Sequence, residues 1–148
     1  MTGKIYLDTS VISALFDFRT PERMLMTKSA WKQLKNYEIY ISDRVLEELN
    51  RVSEPLREEF LKIIEDFAVL SASENAHSLA KAYIEQGIFP EKYYDDALHV
   101  AIASVNQTGI LLSWNFTHLV KLKTRRMVAL VNTLENYLPV EIISPPEL

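Results

Sequence analysis

The 148-residue chain contains no cysteine, only three histidines and only three glycines. Without cysteine there is no disulfide, no thiolate zinc site and no cysteine nucleophile, a composition that suits a reducing compartment. Scarce histidine leaves no His-x-x-x-His metal pair, and scarce glycine leaves no dinucleotide fingerprint or phosphate-cradling loop. Long hydrophobic runs are missing too. The longest candidates, around Val100 and Leu111, are broken by Asn, Gln, Thr and Gly and fall short of the roughly 20 residues of a membrane span. The opening Met1-Thr2-Gly3-Lys4-Ile5-Tyr6-Leu7-Asp8 is too short and too polar for a signal peptide. The expectation is a soluble, cytoplasmic protein with no membrane association. Bases are in deficit as well: 16 Lys and Arg face 20 Asp and Glu, a formal charge of -4. Nucleic-acid binders are commonly basic, so the global balance speaks against one.

Hydrophobic residues make up 48% of the chain, enough for one core, and the length fits a single domain spanning residues 1–148. Ile5-Tyr6-Leu7, Ile39-Tyr40-Ile41, Phe67-Ala68-Val69-Leu70, Ile110-Leu111-Leu112 and Val140 to Ile143 read as short strands. Between them lie helical spacings. Val11, Ile12, Leu15 and Phe16 form one helix, with Thr9 or Ser10 as its cap. Pro21 opens a second that runs through Met24, Trp31 and Leu34 to about Asn36. Ser42 caps a third carrying Val45, Leu46, Leu49 and Val52, and Pro55 starts a fourth. Further helices are predicted from about Glu74 to Gln86, with Gly87 as C-terminal cap, over Tyr94 to Val105, and from about Lys123 to Tyr137. Strands alternating with helices predict an α/β domain, a mainly parallel four- to five-stranded sheet covered on both faces. In such sheets ligands bind beyond the carboxyl ends of the strands.

Four segments bring chemistry to that edge. Asp8 directly ends the first strand, where capping the next helix through its side-chain oxygen is the bland explanation. Glu48 lies near the start of the helix after the second strand. At about 100° per residue it flanks the Val45–Leu49–Val52 stripe, whereas Glu47 points nearly opposite. A carboxylate held against the domain needs a cationic partner, and a salt bridge to Lys or Arg is the bland explanation. Asp95 and Asp96 sit in the first turn of the helix leading into the fourth strand, where acids are favoured by the helix dipole alone. Val100 and Ala103 share the side of Asp96, so that side is expected to be covered. Ser113, Asn115 and His118 follow the fourth strand. Clustered carboxylates raise one another's pKa unless a divalent cation sits among them. Carboxylate and amide ligands suit Mg²⁺ or Mn²⁺ rather than zinc, and such a site is suited to phosphodiester hydrolysis.

The series Ile5-Tyr6-Leu7-Asp8-Thr9-Ser10-Val11, Ser42 with Glu48-Leu49, Asp96-Ala97-Leu98-His99-Val100-Ala101 and Ser113-Trp114-Asn115 resembles the PIN-domain nucleases, most closely the VapC-like branch of toxin ribonucleases. The resemblance implies a three-layer α/β/α sandwich, Mg²⁺- or Mn²⁺-dependent cleavage of RNA by an endoribonuclease, a homodimer, and an antitoxin protein that blocks the site in a type II toxin–antitoxin pair. By motif, Asp8, Glu48 and Asp96 correspond to the acids of the family's metal site. Asn115 corresponds to a fourth position that is Asp or Asn, and Ser10 to a small polar residue lining the site. Asn115 is neutral, so a second cation is expected to bind weakly. His118 stands where many relatives carry Asp and is expected to hydrogen-bond a carbonyl, with a phosphate contact as the other role. His99, one turn after Asp96, is expected to pack in the helix layer, with contact to the site through its polar face as the other role.

Lys121, Lys123, Arg125 and Arg126 crowd the chain soon after Asn115, and a polyanion responds to such local potential, not to net charge. The expected substrate contacts are therefore Ser10, Ser113, His118, Arg125 and Arg126. Lys28, Lys32 and Lys35 share a helix face and read as solvated. Trp31 and Met24-Leu25-Met26 suit either core or a partner surface. The competing reading is a catalytically weak or inactive PIN-fold module that binds RNA or protein, suggested by Asn115 and His118 in place of acids. A haloacid-dehalogenase-like phosphatase would need a second Asp where this chain has Ser10.

Overall fold

Ile5, Tyr6 and Leu7 are wholly inaccessible to solvent, as a strand at the centre of a sheet covered on both faces requires. They belong to β1 (Gly3–Leu7), which pairs in parallel with β2 (Tyr37–Ser42) on one side and β4 (Ile110–Leu112) on the other. The computed structural model describes residues 3–148. Met1 and Thr2, the start of the expected domain and of its polar N-terminus, lie outside the described residues. β3 (Ala68–Leu70) and β5 (Glu141–Ile143) complete a five-stranded sheet of order β3-β2-β1-β4-β5, parallel throughout.

The connections are helical. α1 (Thr9–Ala14) and α2 (Pro21–Gln33) join β1 to β2, and α3 (Asp43–Asn50) and α4 (Leu56–Ile63) join β2 to β3. α5 (Glu74–Glu85) and α6 (Tyr94–Val105) lead to β4, and α7 (Leu122–Leu134) leads to β5. The first four helices contact one another, as do α5, α6 and α7, giving the expected three-layer α/β/α sandwich. α6 is buried from Ala97 through Ser104, so its small residues Ala97, Ala101 and Ala103 let neighbours approach from all sides. Its polar Ser104 joins Tyr83 of α5 and Asn132 of α7 in a buried hydrogen-bonded knot, which satisfies groups that would be costly to bury unpaired.

Local signals act as the sequence suggests in most places. The Ser42 hydroxyl accepts from the Val45 N–H and caps α3. Pro21 occupies the first turn of α2, where its missing N–H costs nothing. Gly87 adopts φ +76° after α5, a conformation that disfavours side chains with a Cβ. The start of α1 departs from expectation. Asp8 holds the cap position and neither Thr9 nor Ser10 caps the helix. Ser10 instead donates to the Asp8 carboxylate, because a desolvated carboxylate needs donors more than a helix end does. The Met24-Leu25-Met26 run divides by helical phase: Met24 is buried, Leu25 and Met26 are exposed. Trp31 is half-buried with its ring centroid 5.9 Å from that of Phe67.

Strand order sets the location of the site. From β1 the chain builds outward to β2 and β3, then crosses back to β4 and outward to β5. The reversal falls between β1 and β4, and the crevice beyond their carboxyl ends is where such sheets bind ligands. Asp8 follows β1 there and Ser113 follows β4.

Candidate functional site

Asp8 is buried and its two oxygens are held by two hydroxyls. Ser10 Oγ donates to Oδ1 at 2.5 Å and Ser113 Oγ to Oδ2 at 2.5 Å. Each hydroxyl is itself oriented by a backbone donor: the Trp114 N–H reaches Ser10 Oγ, and the Asn115 N–H reaches Ser113 Oγ, both at 2.9 Å. Their protons are thereby directed at the carboxylate. Ser10 and Ser113, expected to contact substrate, have as their observed partner Asp8, and Ser113 is fully buried.

Asn115 carries the network onward. Its side-chain amide donates to Asp96 Oδ1 at 3.3 Å, and its Oδ1 accepts the His118 N–H at 2.9 Å. Asp96 is half-buried in the first turn of α6, and Val100 and Ala103, on the same helix side, are fully buried, so that side is covered as expected. Neighbouring Asp95 is exposed and pairs with Arg44. Glu47 is exposed and also pairs with Arg44, whereas Glu48 is half-buried, as the helical phase requires.

The partner of Glu48 is neither Lys nor Arg. His99 Nε2 donates to Glu48 Oε1 at 2.8 Å, and His99 Nδ1 meets the Tyr6 hydroxyl at 2.6 Å. Tyr6 in turn bonds Ser42 Oγ at 2.7 Å. His99 is buried as a packed residue would be, yet both ring nitrogens serve the site. Of the two roles open to His99, contact with the site is thus present alongside packing: a buried imidazole beside a carboxylate is held by hydrogen bonding. Its spacing of three residues from Asp96, on one helix side, is the signal that points to that role. Tyr6, an aromatic in a strand reading as pure core, gave none.

His118 also departs from expectation. Among the described residues its ring makes no hydrogen bond to a carbonyl; it lies against the Tyr93 ring with centroids 3.9 Å apart. Arg125 is partly engaged by Glu147 at 3.4 Å, and Arg126 is exposed.

Electrostatics express the crowding. Burial pushes the Asp8 carboxyl above its ordinary range, against the pull of the His99 charge and the two hydroxyls. Burial raises Asp96 as well; His118 and His99 lower it, while the charges of Asp8 and Glu48 add to the rise. Burial alone would lower His99, but the bond to Glu48 and the charges of Glu48, Asp8 and Asp96 outweigh it and hold it above its usual value. Asp96 feels the charges of Asp8 and Glu48 in a desolvated crevice, which calls for a counter-charge, and all-oxygen donors match a hard divalent cation. The donor set fits such an ion in kind, although no three His, Asp or Glu side chains among the described residues stand close enough to form a finished cage.

Comparisons with known proteins agree with this architecture. Two solved structures share the fold. Mycobacterium tuberculosis VapC20, described as a sarcin-ricin loop cleaving toxin, superposes with a TM-score of 0.59 at 18% identity, over 77% of this chain and 92% of its own. VapBC2 from Rickettsia felis, described as bound to a DNA fragment from its promoter, gives 0.60 at 16% identity, over 95% and 98%. No curated protein matches the sequence. The sequence profile of the PIN domain matches residues 5–113, the span from β1 through the end of β4 that carries all three acids, and the chain belongs to the PIN-domain family.

Proposed function

We propose that the chain is a divalent-cation-dependent endoribonuclease. The observation that carries this reading is the hydrogen-bonded path from Asp8 through Ser113 and Asn115 to Asp96 at the β1/β4 switch point, with Glu48 held by His99, one helical turn after Asp96. Their neighbours are positioning groups (Ser10, Ser113, His99, Asn115) with no nucleophile of their own. Asp8, Glu48 and Asp96 would hold Mg²⁺ or Mn²⁺, which when bound supplies an activated water and neutralises charge on the phosphate. The residues do the rest. Ser10 and Ser113 fix both oxygens of Asp8, His99 fixes one oxygen of Glu48 and leaves the other free, and Asn115 ties the β4 end to Asp96. The Asn115 amide keeps a second proton for a phosphate oxygen. Arg125 and Arg126, which follow Asn115 in the chain, would supply positive potential for the polyanion.

RNA cleavage by the wild-type chain in Mg²⁺ or Mn²⁺, abolished in Asp8→Asn and Asp96→Asn with the fold intact, tests the reading. Full activity in EDTA contradicts it. The likeness to VapC20 and VapBC2 motivates a further element of the proposal: the chain acts in the cytoplasm as a homodimeric toxin silenced by an antitoxin. Phe18, 75% exposed between the apolar residues Phe16, Leu56, Trp31 and Ile63, supplies a face suited to a protein partner. Among the described residues no helix is long and apolar enough to cross a membrane. Co-purification with the product of a neighbouring short reading frame tests the pairing.

The second reading, a PIN-fold binding module without catalysis, is favoured by one observation, the lack of a finished three-ligand cluster among the described residues. Calorimetric titration with Mn²⁺ separates the two. No binding at millimolar metal selects the module.

A further inference from the structure

Next to the acids the surface changes sign and character. His118, whose charge acts on Asp96, lies against Tyr93 at 3.9 Å between ring centroids. Neither ring is buried, and neither makes a side-chain hydrogen bond among the described residues. Lys92 sits over the Tyr93 ring at 5.1 Å. The same loop is continuous with a second feature. Thr124 Oγ1 donates to the His118 carbonyl at 2.9 Å, and Thr124 lines a cleft of about 330 Å³ with Gly87, Ile88, Lys121, Lys123 and Met127. Lys92, Lys121, Lys123 and Arg126 make no ion pair among the described residues. In a chain of net charge -4, this grouping of unpaired cations beside a partly exposed aromatic pair offers local positive potential to an external anion.

We propose that this strip is the path of single-stranded RNA leaving the carboxylate site: a base stacks on Tyr93 and His118, and the following phosphates lie along Lys121 and Lys123. Aromatic platforms interleaved with cations suit unpaired bases, whose faces are free to stack, better than a duplex whose bases are already stacked. Lys92 completes the platform by holding positive charge against the ring that receives the base. The order Asp96, Asn115, His118 with Tyr93, then Thr124 with the lysines, is connected by named contacts, so the strip begins at the acids. The proposal rests on the ribonuclease reading for the identity of the polymer and deepens it by naming the strand form and its track.

The test is fluorescence anisotropy with a short labelled oligouridylate, in Ca²⁺ in place of Mg²⁺, over a range of salt. Neutralising two phosphate contacts in Lys121→Gln/Lys123→Gln should make the slope of log affinity against log salt shallower by about 1.4. Tyr93→Leu should weaken binding at least about fivefold while Tyr93→Phe retains it, since stacking needs the ring and not the hydroxyl. Lys28→Gln/Lys32→Gln, on the exposed face of α2, should change nothing, and an RNA duplex of equal length should bind more weakly. The path is overturned if the Lys121/Lys123 variant keeps the wild-type salt slope. Equal damage from Phe and Leu at position 93, or tighter binding of the duplex, overturns it too. Circular dichroism melts of these exposed-residue variants confirm that the fold is kept. The two readings fail separately. A wild-type chain that binds along this strip but cleaves nothing sinks the ribonuclease, whereas cleavage with unchanged KM in the double lysine variant sinks the path alone.

Discussion

Glu48 of α3 and His99 of α6 meet through a 2.8 Å hydrogen bond between residues 51 positions apart. The bond ends a chain in which Ser42, Tyr6 and His99 successively bridge β2, β1 and α6. It makes the position of one acid depend on the packing of the sheet centre. Replacing His99 with Leu leaves Glu48 and the Tyr6 hydroxyl without their partner, at a cost of about 1–3 kcal/mol. Thermal denaturation of His99→Leu should show the loss. A double-mutant cycle with Tyr6→Phe should show coupling of at least about 0.5 kcal/mol, since the two residues share one network. Additive effects would mean that the chain of bonds does not act as a unit.

Asp8 should trade stability for function. Its carboxyl is raised by burial, so in the metal-free protein its charge is carried at a cost. Asp8→Asn removes the charge and keeps an acceptor for one of the two serines. In EDTA at neutral pH the variant should be more stable than wild type by about 0.5–2 kcal/mol, measured in urea, while RNA cleavage in Mg²⁺ is lost. A variant that is both inactive and less stable would show that the serine contacts outweigh the burial of the charge.

The pH dependence of stability follows from the same three groups, and their signs agree. His99 is raised in the folded chain, so its contribution is fully present below its unfolded value of about 6.5 and fades as pH rises through the folded one. Asp8 and Asp96 are also raised. Their unfolded carboxyls lose protons first, near pH 4, so stability declines from there up to the folded values and the penalty persists above. In EDTA, Tm should therefore be higher at pH 6 than at pH 8, and His99→Leu should flatten that difference. Mg²⁺ or Mn²⁺ should recover more stability at pH 8 than at pH 6. A Tm that rises between pH 6 and pH 8 in EDTA contradicts the assignment of these groups.

The fold was legible because its determinants are local and periodic. The β-prone Ile5-Tyr6-Leu7, the Ser42 cap, Pro21 and Gly87 each act within a few residues, and alternation of strand and helix then admits few topologies. Which residues approach the sheet edge followed from that topology, and so Asp8, Glu48, Asp96 and Asn115 could be singled out. Their partners could not. For Glu48 the bland explanation is a Lys or Arg partner, but partner choice depends on long-range geometry, and α6 presents His99 there instead. Tyr6 reads as core by composition, since nothing in a strand pattern tells that a phenol oxygen will reach across to another element. His118 reads as a partner for a carbonyl or a phosphate, and Tyr93, 25 positions earlier in the sequence, meets its ring through tertiary packing.

Arg44 offers a test of how the two acid-bearing helices are held together. From α3 its guanidinium reaches Glu47 on its own helix at 2.9 Å and Asp95 on α6. Asp95 immediately precedes Asp96, and Arg44 lies four residues before Glu48, so the pair fixes the spacing between the two acids without touching either. The ion pair is partly exposed, and screened pairs of this kind contribute about 1 kcal/mol or less to stability. Arg44→Met should therefore fold with nearly unchanged Tm, because the aliphatic stem is preserved. Its effect should fall on the site. A loosened α3–α6 spacing should weaken Mn²⁺ binding by about tenfold, a loss of the size expected when a group orienting metal ligands is removed, with kcat falling alongside it. Asp95→Asn, which leaves Asp96 in place but weakens the same tether, should reproduce part of the loss. Unchanged Mn²⁺ affinity in both variants would mean that the sheet edge alone sets the distance between Glu48 and Asp96.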